Sequence, residues 1–469
     1  MVNLLIAFCV ALATSLILTP VVRALAWRHR FVARPTVSRW HSKSTSLLGG
    51  VAIAASFYIG AIVFLKMLWP VWMVFLVALI PFSIGLIDDI RDLHPQTKLV
   101  GIIVAGVLLL GLGHQLVFTA LPPLNIFITI FWILGITNAM NLLDNMDGLA
   151  AGIAFIAALF LLYFFAANGQ WEMGVVTALF SGSLLGFLVY NFHPASIFMG
   201  DAGSLFIGFL ISSLPMATGF QPTSSLLTVL AVPVLILLIP IFDTTFVTIM
   251  RILAGKAVSQ GGRDHTSHRL VSVGLTEREA VLTLYSLAAF SGGLALMARV
   301  LGLHIAIAVI PLFLLVLVFL GVYLGRLKPY SITGERKRHA IPILVNIAYK
   351  RRMFEVGMDL LLVGFSYYAA YLIRFEGRLV SYNFSLLLRS LPVVIGCKMV
   401  AFFALGMYRG VWRYTGLSDI VTYFKATTAG TVLSILVVLF FFHFAGFSRT
   451  VFIIDWLLLF IMVSGSRFS

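Results

Sequence analysis

The sequence predicts an all-α polytopic integral membrane protein, with about eleven transmembrane helices followed by about four more. Three observations support this fold class. Hydrophobic residues make up 61% of the 469 residues and charged residues only 10%. Mean hydropathy is +1.06, a value outside the range of soluble globular proteins. The apolar residues also lie in runs of roughly twenty, the length that crosses a bilayer as a helix.

The apolar runs give the expected order of the helices. The first eleven lie near 3–22, 47–65, 71–87, 99–118, 123–141, 148–167, 172–190, 203–220, 225–249, 280–300 and 302–324. Four more lie near 354–374, 384–407, 424–446 and 450–465. No basic segment precedes the first run, so we expect a retained helix and not a cleaved signal. The predicted organisation is a first module over 1–325, a basic linker over 326–352 and a second transmembrane module over 353–469.

The basic residues predict the orientation. The net charge is +15, and three loops that fall on one side of the membrane, 23–43, 251–278 and 325–352, are rich in Lys and Arg. The turns on the other side, at 119–122, 168–171, 221–224 and 301–302, have neither. The positive-inside rule places the N-terminus outside and the basic loops in the cytoplasm of a bacterial inner membrane. Anionic lipids and anionic substrates are the expected partners, with no role for nucleic acid.

The two cysteines predict neither a disulfide framework nor a thiolate metal site. Cys9 and Cys397 are far apart, and each lies in an apolar run.

The segment from Asn138 to Gly148 is polar at the end of the fifth apolar run. Asn138, Asn141 and Asn145 have the spacing i, i+3, i+7, so a helix would align them on one face. Asp144 lies one position off that face, and Asp147 precedes a glycine that favours a loop. Unpaired polar groups are costly in hydrocarbon, so the segment predicts a binding site. The alternative is a polar helix end that lies among lipid headgroups.

Two further sites carry carboxylates. Asp88 and Asp89 end the third run, and a helix directs such neighbours about 100° apart, so at most one faces reacting atoms. Lys98 follows at the start of the fourth run, where its ammonium group either meets phosphate or extends toward headgroups. Gly200–Asp201–Ala202–Gly203–Ser204 opens an apolar helix. Either Asp201 binds a divalent cation, Mg²⁺ or Mn²⁺ by its hard oxygen, or it caps that helix.

The loop after the ninth run combines basic and imidazole groups. Its sequence is Arg263–Asp264–His265–Thr266–Ser267–His268–Arg269. Two histidines at i, i+3 are one metal-ligand pattern, but the two arginines beside them favour pyrophosphate binding. Asp243 lies in the ninth run, either as a support for this loop or as a polar group in helix packing.

Alternation of the spans places all four polar groups on the cytoplasmic side. A basic loop, a divalent-cation site and Asp/Asn clusters at the membrane surface are typical of phosphoryl transfer, in which positioning and charge neutralisation dominate. Two other classes compete with this interpretation. An ion-coupled transporter would place its charges near the midplane, commonly within internal repeats, and a scaffold for glycan assembly would need no catalytic groups.

These motifs together resemble the polyprenyl-phosphate N-acetylhexosamine-1-phosphate transferases. That family includes enzymes that start O-antigen and related lipopolysaccharide glycans on undecaprenyl phosphate, and the lipid I enzyme of cell-wall biogenesis. The matching pieces span residues 1–325 and are Asp88–Asp89, Asn138-x-x-Asn141-x-x-Asp144-x-x-Asp147–Gly148, Gly200 to Ser204 and the loop 264–269. The resemblance implies a UDP-N-acetylhexosamine donor, a polyprenyl phosphate acceptor, Mg²⁺, and UMP as the released product.

The resemblance also implies roles for individual residues. Asp201 would ligate the metal with Asn141 close by, and Asp88, beside Asp89, would deprotonate the lipid phosphate. Asp144 and Asp147 would shape the uridine–metal region. Lys98 and the loop that contains Arg263, His265, His268 and Arg269 would hold the donor pyrophosphate. Whether an aspartate attacks covalently or the lipid phosphate attacks directly stays open at this stage.

The sequence departs from the family pattern in three places. Ser42, Ser44 and Ser46 stand where prolines are expected, Asn145 stands where the lipid I enzymes have glycine, and the loop lacks three consecutive histidines. The last two departures favour the O-antigen-type branch.

The second module, after the basic linker, resembles the membrane region of nucleotide-sugar dehydratases and epimerases of polysaccharide synthesis. No G-x-G-x-x-G fingerprint follows a strand there. We therefore expect this module to be non-catalytic. Either the chain is cut short or a separate dehydratase, epimerase or other glycan-assembly partner supplies the catalytic domain. The module then either channels donor or only packs in lipid.

Overall fold

The computed structural model describes most of the chain. The described residues are 2–33, 44–65, 69–117, 121–216, 232–255, 262, 264–300, 313, 314, 316–318, 320, 321, 323–325, 341–377, 381–408, 417–442 and 446–468. The chain divides into two compact units. The first comprises Met1–Val300 with Leu324–Tyr330, and the second comprises Leu301–Tyr323 with Ser331–Ser469. The predicted boundaries at 325 and 352 stay predictions.

The first unit is built almost entirely of helices. They are α1 Val2–Arg28, α2 Gly49–Phe64, α3 Trp69–Ile90, α4 Pro95–Gly111, α5 Pro122–Leu143, α6 Leu149–Ala167, α7 Trp171–Asn191, α8 Gly200–Ser213, α9 Leu238–Leu253, α10 Thr266–Ser272 and α11 Glu277–Val300.

The predicted all-α polytopic class is confirmed. The described residues of the two units together include ten helices that are long and apolar enough to cross a membrane. Shorter apolar helices at Gly49–Phe64, Pro95–Gly111 and Gly200–Ser213 correspond to three more of the predicted runs. Parts of the predicted runs 203–220 and 225–249, and most of 302–324, lie outside the described residues.

The helix α8 lies at the centre of the first unit. Every residue from Ala202 to Ser213 is buried, and α3, α5 and α2 pack around it. A helix that is apolar all round its surface must be enclosed by protein or lipid, and here protein encloses it. The carboxylate at its start is therefore held at a fixed place between neighbouring helices.

The packing of α1 on α7 uses small residues. Ala11 and Ser15 of α1 lie against Gly182 and Gly186 of α7, and a Cβ at Gly182 would come within 2.3 Å of the Phe8 carbonyl oxygen. Small residues at such positions let helix backbones approach closely, which is the usual packing device within membranes.

A short β-ribbon supports the segment before α8. The strands β1 Val32–Ala33 and β2 Thr45–Ser46 pair antiparallel, and Ser46 also bridges to Ile197. The amides of Gly49 and Gly50 then donate to the carbonyls of Phe198 and Met199 at 2.9 and 2.8 Å. These hydrogen bonds fix the backbone that leads into Gly200.

The second unit contains four long helices in the part of the chain that the structure describes. They are α12 Ile341–Arg374, α13 Ser381–Ala404, α14 Leu417–Phe442 and α15 Arg449–Phe468. Two ion pairs are buried among them. Lys398 of α13 pairs with Asp455 of α15, and Arg467 of α15 pairs with Asp359 of α12. The Lys398 and Asp455 side chains are both 0% exposed, so each is the other's main charge compensation.

Candidate active site

The site begins with a close approach of α3 to the start of α8. A Cβ at Gly85 would lie 2.3 Å from the backbone oxygen of Asp201, so only glycine permits this separation. Asp88 lies three residues after Gly85, on the next turn of the same helix. The glycine contact therefore brings two predicted carboxylates, Asp88 and Asp201, to the same place.

Lys98 joins these two carboxylates. Its Nζ lies 3.0 Å from Oδ2 of Asp88 and 2.6 Å from Oδ2 of Asp201. The other oxygen of Asp88, Oδ1, accepts a hydrogen bond of 2.7 Å from the amide of Leu93. All three side chains are 13–28% exposed, so the group is partly accessible from outside the helix bundle. Lys98 therefore bridges two carboxylates and does not extend away from them toward the headgroups.

Asp89 has a different task from its neighbour. Its two oxygens accept the amides of Asp201 and Ala202 at 2.8 and 3.0 Å, which caps the start of α8 from another helix. Gly200 permits this contact because it has a φ of 74°, and a Cβ there would lie 2.5 Å from the Asp89 carboxylate. The helix-capping alternative considered for Asp201 therefore applies to Asp89, and Asp201 keeps its carboxylate free of that task.

The end of α5 contributes Asn141. Its Nδ2 donates to Ser204 Oγ of α8 at 2.8 Å, so its carbonyl oxygen Oδ1 is left as an acceptor. Asn138, one turn earlier, donates to the carbonyl of Leu134 in its own helix. The helix ends at Leu143, so the expected alignment of Asn145 with these residues on one helical face is not formed. The backbone of Asp144, at φ −76° and ψ 51°, turns the chain away instead.

Asp144 lies beyond the end of α5 and near the other carboxylates. Burial, together with the charges of Asp201, Asp89 and Asp147, raises the pKa of Asp144 to about 8. A cation bound nearby would oppose this shift, because a positive charge favours the ionised carboxylate.

The histidine loop is anchored by Asp243. His265 Nδ1 lies 2.8 Å from Asp243 Oδ2, and Oδ1 of the same carboxylate accepts the Thr266 amide at 2.8 Å and the Thr266 hydroxyl at 2.6 Å. His265 and Asp243 are 5% and 1% exposed. A carboxylate on Nδ1 fixes the ring so that Nε2 is the atom available for a ligand. Asp243 is thus a support for the loop.

A contact between Ser267 and Asn145 joins the histidine loop to the end of α5. Ser267 Oγ donates to Asn145 Oδ1 at 2.6 Å. Asn145 is adjacent to Asp144, so the loop and the carboxylate cluster share one region of the first unit. His268 is buried beside His265, with ring centroids 6.1 Å apart.

Arg269 of this loop and Arg251 at the end of α9 both bind groups of the protein itself. Arg269 is 3% exposed and donates from Nε to the Asp264 carbonyl at 3.1 Å and from Nη1 to the Leu324 carbonyl at 2.8 Å. These contacts leave little of its guanidinium for the predicted diphosphate contact. Arg251 forms a bidentate ion pair with Asp264, in which Nε and Nη2 each donate to a different carboxylate oxygen at 2.8 Å. Burial favours the neutral acid, but Arg251 outweighs it and lowers the pKa of Asp264. Arg263 lies outside the described residues.

Asp147 makes contacts of its own. Its Oδ2 accepts the Ala195 amide at 2.9 Å and lies 3.2 Å from His193 Nδ1. Glu277 Oε2, at the start of α11, is also 3.2 Å from His193 Nδ1.

Sequence reasoning did not identify several residues of this region. Asn191, His193 and Glu277 are single polar residues beside apolar segments, and no local spacing distinguishes them. Asn191 and His193 share one signal, since both lie in the short segment between the seventh run and Gly200. Ser204 was part of the Gly200 to Ser204 motif, but no role was predicted for its side chain.

The residues at Asp201 are suited to a divalent cation such as Mg²⁺. The donor set consists of carboxylate and amide oxygens without sulfur, which is the ligand type of hard cations. Lys98 contacts two carboxylates, those of Asp88 and Asp201, and Asp89 and Asp144 lie near Asp201. A divalent cation would add positive charge to this cluster, which would favour binding of an anionic substrate.

The chain is similar in sequence to known proteins. Residues 71–219 match the family model described as "Glycosyl transferase family 4". The chain is 32% identical over 305 residues to a decaprenyl-phosphate N-acetylglucosaminephosphotransferase of Mycolicibacterium smegmatis, which covers 56% of this chain and 74% of the relative. It is 31% identical over 250 residues to a phospho-N-acetylmuramoyl-pentapeptide-transferase of Shouchella clausii, and this match covers 46% of this chain and 74% of the relative.

A Bacillus subtilis protein described as a "probable undecaprenyl-phosphate N-acetylglucosaminyl 1-phosphate transferase" is 35% identical over 295 residues. That match covers 61% of this chain and 82% of the relative. This identity over most of the relative's length, together with the family model, shows that the chain belongs to the polyprenyl-phosphate N-acetylhexosamine-1-phosphate transferases.

Proposed function

We propose that this chain transfers N-acetylhexosamine-1-phosphate from a UDP-sugar to a polyprenyl phosphate such as undecaprenyl phosphate, with release of UMP. The observation that carries the proposal is the junction of Asp88, Lys98 and Asp201, with Asp89 and Asp144 beside it. The names of two relatives specify undecaprenyl phosphate or decaprenyl phosphate together with N-acetylglucosamine, and the name of a third specifies a phospho-N-acetylmuramoyl-pentapeptide. Such a reaction starts a lipid-linked glycan.

The proposed reaction is a displacement at phosphorus. An oxygen of the lipid phosphate forms a bond to the β-phosphorus of the UDP-sugar, the bond from that phosphorus to the bridging oxygen breaks, and UMP leaves with the electron pair. A Mg²⁺ ion, when bound, supplies charge neutralisation for the diphosphate. We propose Asp201 and the Oδ1 atom of Asn141 as its ligands, with Mn²⁺ as a substitute.

Lys98 and His265 are proposed to contact the substrates. Lys98 has an ammonium group within 3.0 Å of two carboxylates, and an incoming diphosphate can replace one of these partners. His265 has its Nδ1 engaged with Asp243, so Nε2 is the atom assigned to the donor. Arg263 and His268 complete the proposed loop contact, and Asn138 supports the α5 end.

We propose direct attack by the lipid phosphate and not covalent catalysis by Asp88. Oδ1 of Asp88 accepts the Leu93 amide, which fixes the orientation of the carboxylate, and Oδ2 contacts Lys98, the ammonium group proposed to move to the diphosphate. Oδ2 can then take a proton without a change in that orientation, whereas covalent attack would require the carboxylate to reach the phosphorus. The proposed role of Asp88 is to accept a proton from the lipid phosphate. If attack is direct, labelled UDP-GlcNAc alone transfers no sugar phosphate to the protein and releases no UMP before lipid is added. Labelled protein in the absence of lipid would contradict direct attack.

We propose that the site faces the cytoplasm of a bacterial inner membrane, with the N-terminus outside. The support is the distribution of Lys and Arg between the loops on the two sides. Reporter fusions after Arg91 and after Asn168 are expected to report cytoplasmic and external positions, respectively. The opposite pattern would reverse the orientation.

The function is tested in membranes that contain the chain, labelled UDP-GlcNAc, polyprenyl phosphate and Mg²⁺. The expected result is lipid-linked label with one UMP per transferred sugar phosphate. A panel of UDP-sugars identifies the donor. Absence of lipid-linked label with every UDP-N-acetylhexosamine, in membranes where the protein is folded and abundant, would reject the proposal.

The substitution Asp201→Asn ties the reaction to the site. It is expected to reduce transfer by about 10²–10³-fold because charge stabilisation of the diphosphate is lost. The matched control is Asp92→Asn, since Asp92 is an exposed carboxylate four residues after Asp88. This substitution is expected to leave the rate of transfer unchanged. Near-normal turnover of Asp201→Asn would remove this residue from the metal site.

A further inference from the structure

A second group of side chains with metal-ligating atoms includes Asp147, whose charge acts on Asp144. Asp147 follows α5, His193 follows α7, and Glu277 begins α11. One ligand atom from each, Oδ2, Nδ1 and Oε2, lies within 4.8 Å of the other two. Three separate segments of the first unit therefore bring one imidazole and two carboxylates to a common point.

Two of the separations in this group, both from the His193 ring, match those between ligands of a common ion. Nδ1 of His193 is 3.2 Å from the Asp147 oxygen and 3.2 Å from the Glu277 oxygen. A single Nδ1–H can direct a good hydrogen bond to only one of two acceptors, and 3.2 Å is at the long limit for N–H···O bonds. Ligands at about 2.0–2.1 Å from a tetrahedral ion are about 3.3 Å from each other, which matches the observed separations.

The group is also held in place by contacts that do not depend on a cation. Asp147 Oδ2 accepts the Ala195 amide at 2.9 Å, which joins the two loops directly. Asn191 accepts the Gly148 amide at 3.1 Å and donates to the Ile197 carbonyl at 2.9 Å, which joins them a second time. Tyr285 of α11 donates to the Gly148 carbonyl at 2.6 Å. Ligands supported in this way lose little freedom when a cation binds.

We propose that Asp147, His193 and Glu277 form a binding site for a divalent transition-metal cation of the Mn²⁺ or Zn²⁺ class. A nitrogen ligand among carboxylates suits these cations and is unfavourable for Mg²⁺, which takes oxygen ligands. The site is separate from the proposed Mg²⁺ position, where the ligand atoms are oxygens. A cation at this site links the start of α11 to the loop that carries Asp144, three residues before Asp147, and so holds that carboxylate in position.

The site is tested by Mn²⁺ binding to the purified full-length protein in detergent, followed by electron paramagnetic resonance. We expect an Mn²⁺ population with ¹⁴N coupling from an imidazole, and this coupling is lost in His193→Gln. Glu277→Gln is expected to weaken that population by about tenfold or more. The matched control is Glu279→Gln, in the same first turn, where glutamine preserves the hydrogen bond that Glu279 accepts from the Thr276 amide.

The outcomes separate this site from the one at Asp201. Asp201→Asn is expected to leave the ¹⁴N-coupled population in place, whatever its effect on transfer, and His265→Ala is expected to leave it as well. The proposal would be overturned if the unaltered protein showed no ¹⁴N coupling, or if the coupling persisted in His193→Gln. The three side chains would then form only an ion pair. Unchanged affinity in Glu277→Gln would also overturn the three-ligand site, and this variant serves if His193→Gln does not fold.

Discussion

At the scale of single residues, the role of each carboxylate follows from the groups that donate hydrogen bonds to it. Asp89 accepts two backbone amides of α8, Asp88 accepts an amide and Lys98, and Asp201 has only Lys98 as a side-chain cation among the contacts described. A carboxylate that fixes backbone amides is a structural group, because moving it exposes a helix end. Among the contacts described here Asp201 accepts no backbone amide, so of these three carboxylates it is the one that can exchange its partner for a cation without exposing a helix end.

Asp243 is expected to act on the reaction through His265. Asp243→Asn replaces one of the two acceptor oxygens, Oδ2 beside His265 or Oδ1 beside Thr266, with an NH₂ group that cannot accept a hydrogen bond. The orientation and tautomer of His265 are then no longer fixed, and we expect kcat to fall by about 10–100-fold with a smaller change in KM. Steady-state kinetics measures this.

The double variant with His265→Ala is the control for this pair. If the two residues act as a unit, the double variant is no slower than His265→Ala alone. Fully additive losses would show that Asp243 acts independently of the histidine.

Asp144 gives the folded protein a pH dependence of stability. Its pKa is about 8 against an ordinary 3.8, so between pH 4 and pH 8 the folded state keeps a proton that the unfolded state has released. Stability is therefore expected to fall as pH rises through this window and to level off above pH 8. The measurement is the unfolding temperature in detergent with EDTA at pH 6 and pH 8. Asp144→Asn is the control, and an identical slope in both proteins would contradict the assignment.

At the scale of helices, the site depends on the contact of α3 with α8. Gly85→Ala adds a methyl group where a Cβ would be 2.3 Å from the Asp201 backbone oxygen, so the helices must separate. We expect a loss of about 1–3 kcal/mol of stability and at least tenfold lower transfer, since Asp88 moves away from Asp201.

Gly135→Ala is the matched control for this helix contact. Gly135 is also within a helix, α5, and a Cβ there meets nothing within 4 Å. This substitution is expected to be neutral or slightly stabilising because alanine favours the helix. Equal effects of the two substitutions would show that the close contact is unimportant.

The positions of helices were predictable from the sequence, whereas the partners of the site residues were not. Apolar runs determine where a chain can cross a bilayer, and most of the predicted runs in the described residues coincide with helices. The polar clusters at 88–89, 138–147 and 201 were recognisable because polar groups are rare in such runs. In contrast, the use of Asp89 as a cap for α8 requires the packing of two helices whose residues are 112 positions apart. The end of α5 at Leu143 also depended on tertiary contacts, because the asparagine spacing alone favours a longer helix.

At the scale of the whole molecule, the two units carry their charges differently. In the first unit the carboxylates of Asp88 and Asp201 are 13% and 28% exposed and are open to ligands. In the second unit Lys398 and Asp455 are fully enclosed, and Ser366 donates to Asp455 Oδ1 at 2.7 Å. Polar groups enclosed within a membrane bundle link helices and define their register. This contrast agrees with a non-catalytic second module, which remains a prediction.

The enclosed pair gives a test of that assignment in the full chain. Asp455→Ala leaves the Lys398 ammonium group buried without its partner and is expected to destabilise the second unit by about 3–5 kcal/mol. The double variant Lys398→Met/Asp455→Leu replaces both charges with apolar groups and is expected to recover most of that loss, because no charge then remains to be compensated. Chemical denaturation with limited proteolysis at 446–468 measures both. Transfer activity at permissive temperature is expected to be unchanged in the double variant, and a loss of activity in that stably folded protein would assign the second unit a part in catalysis.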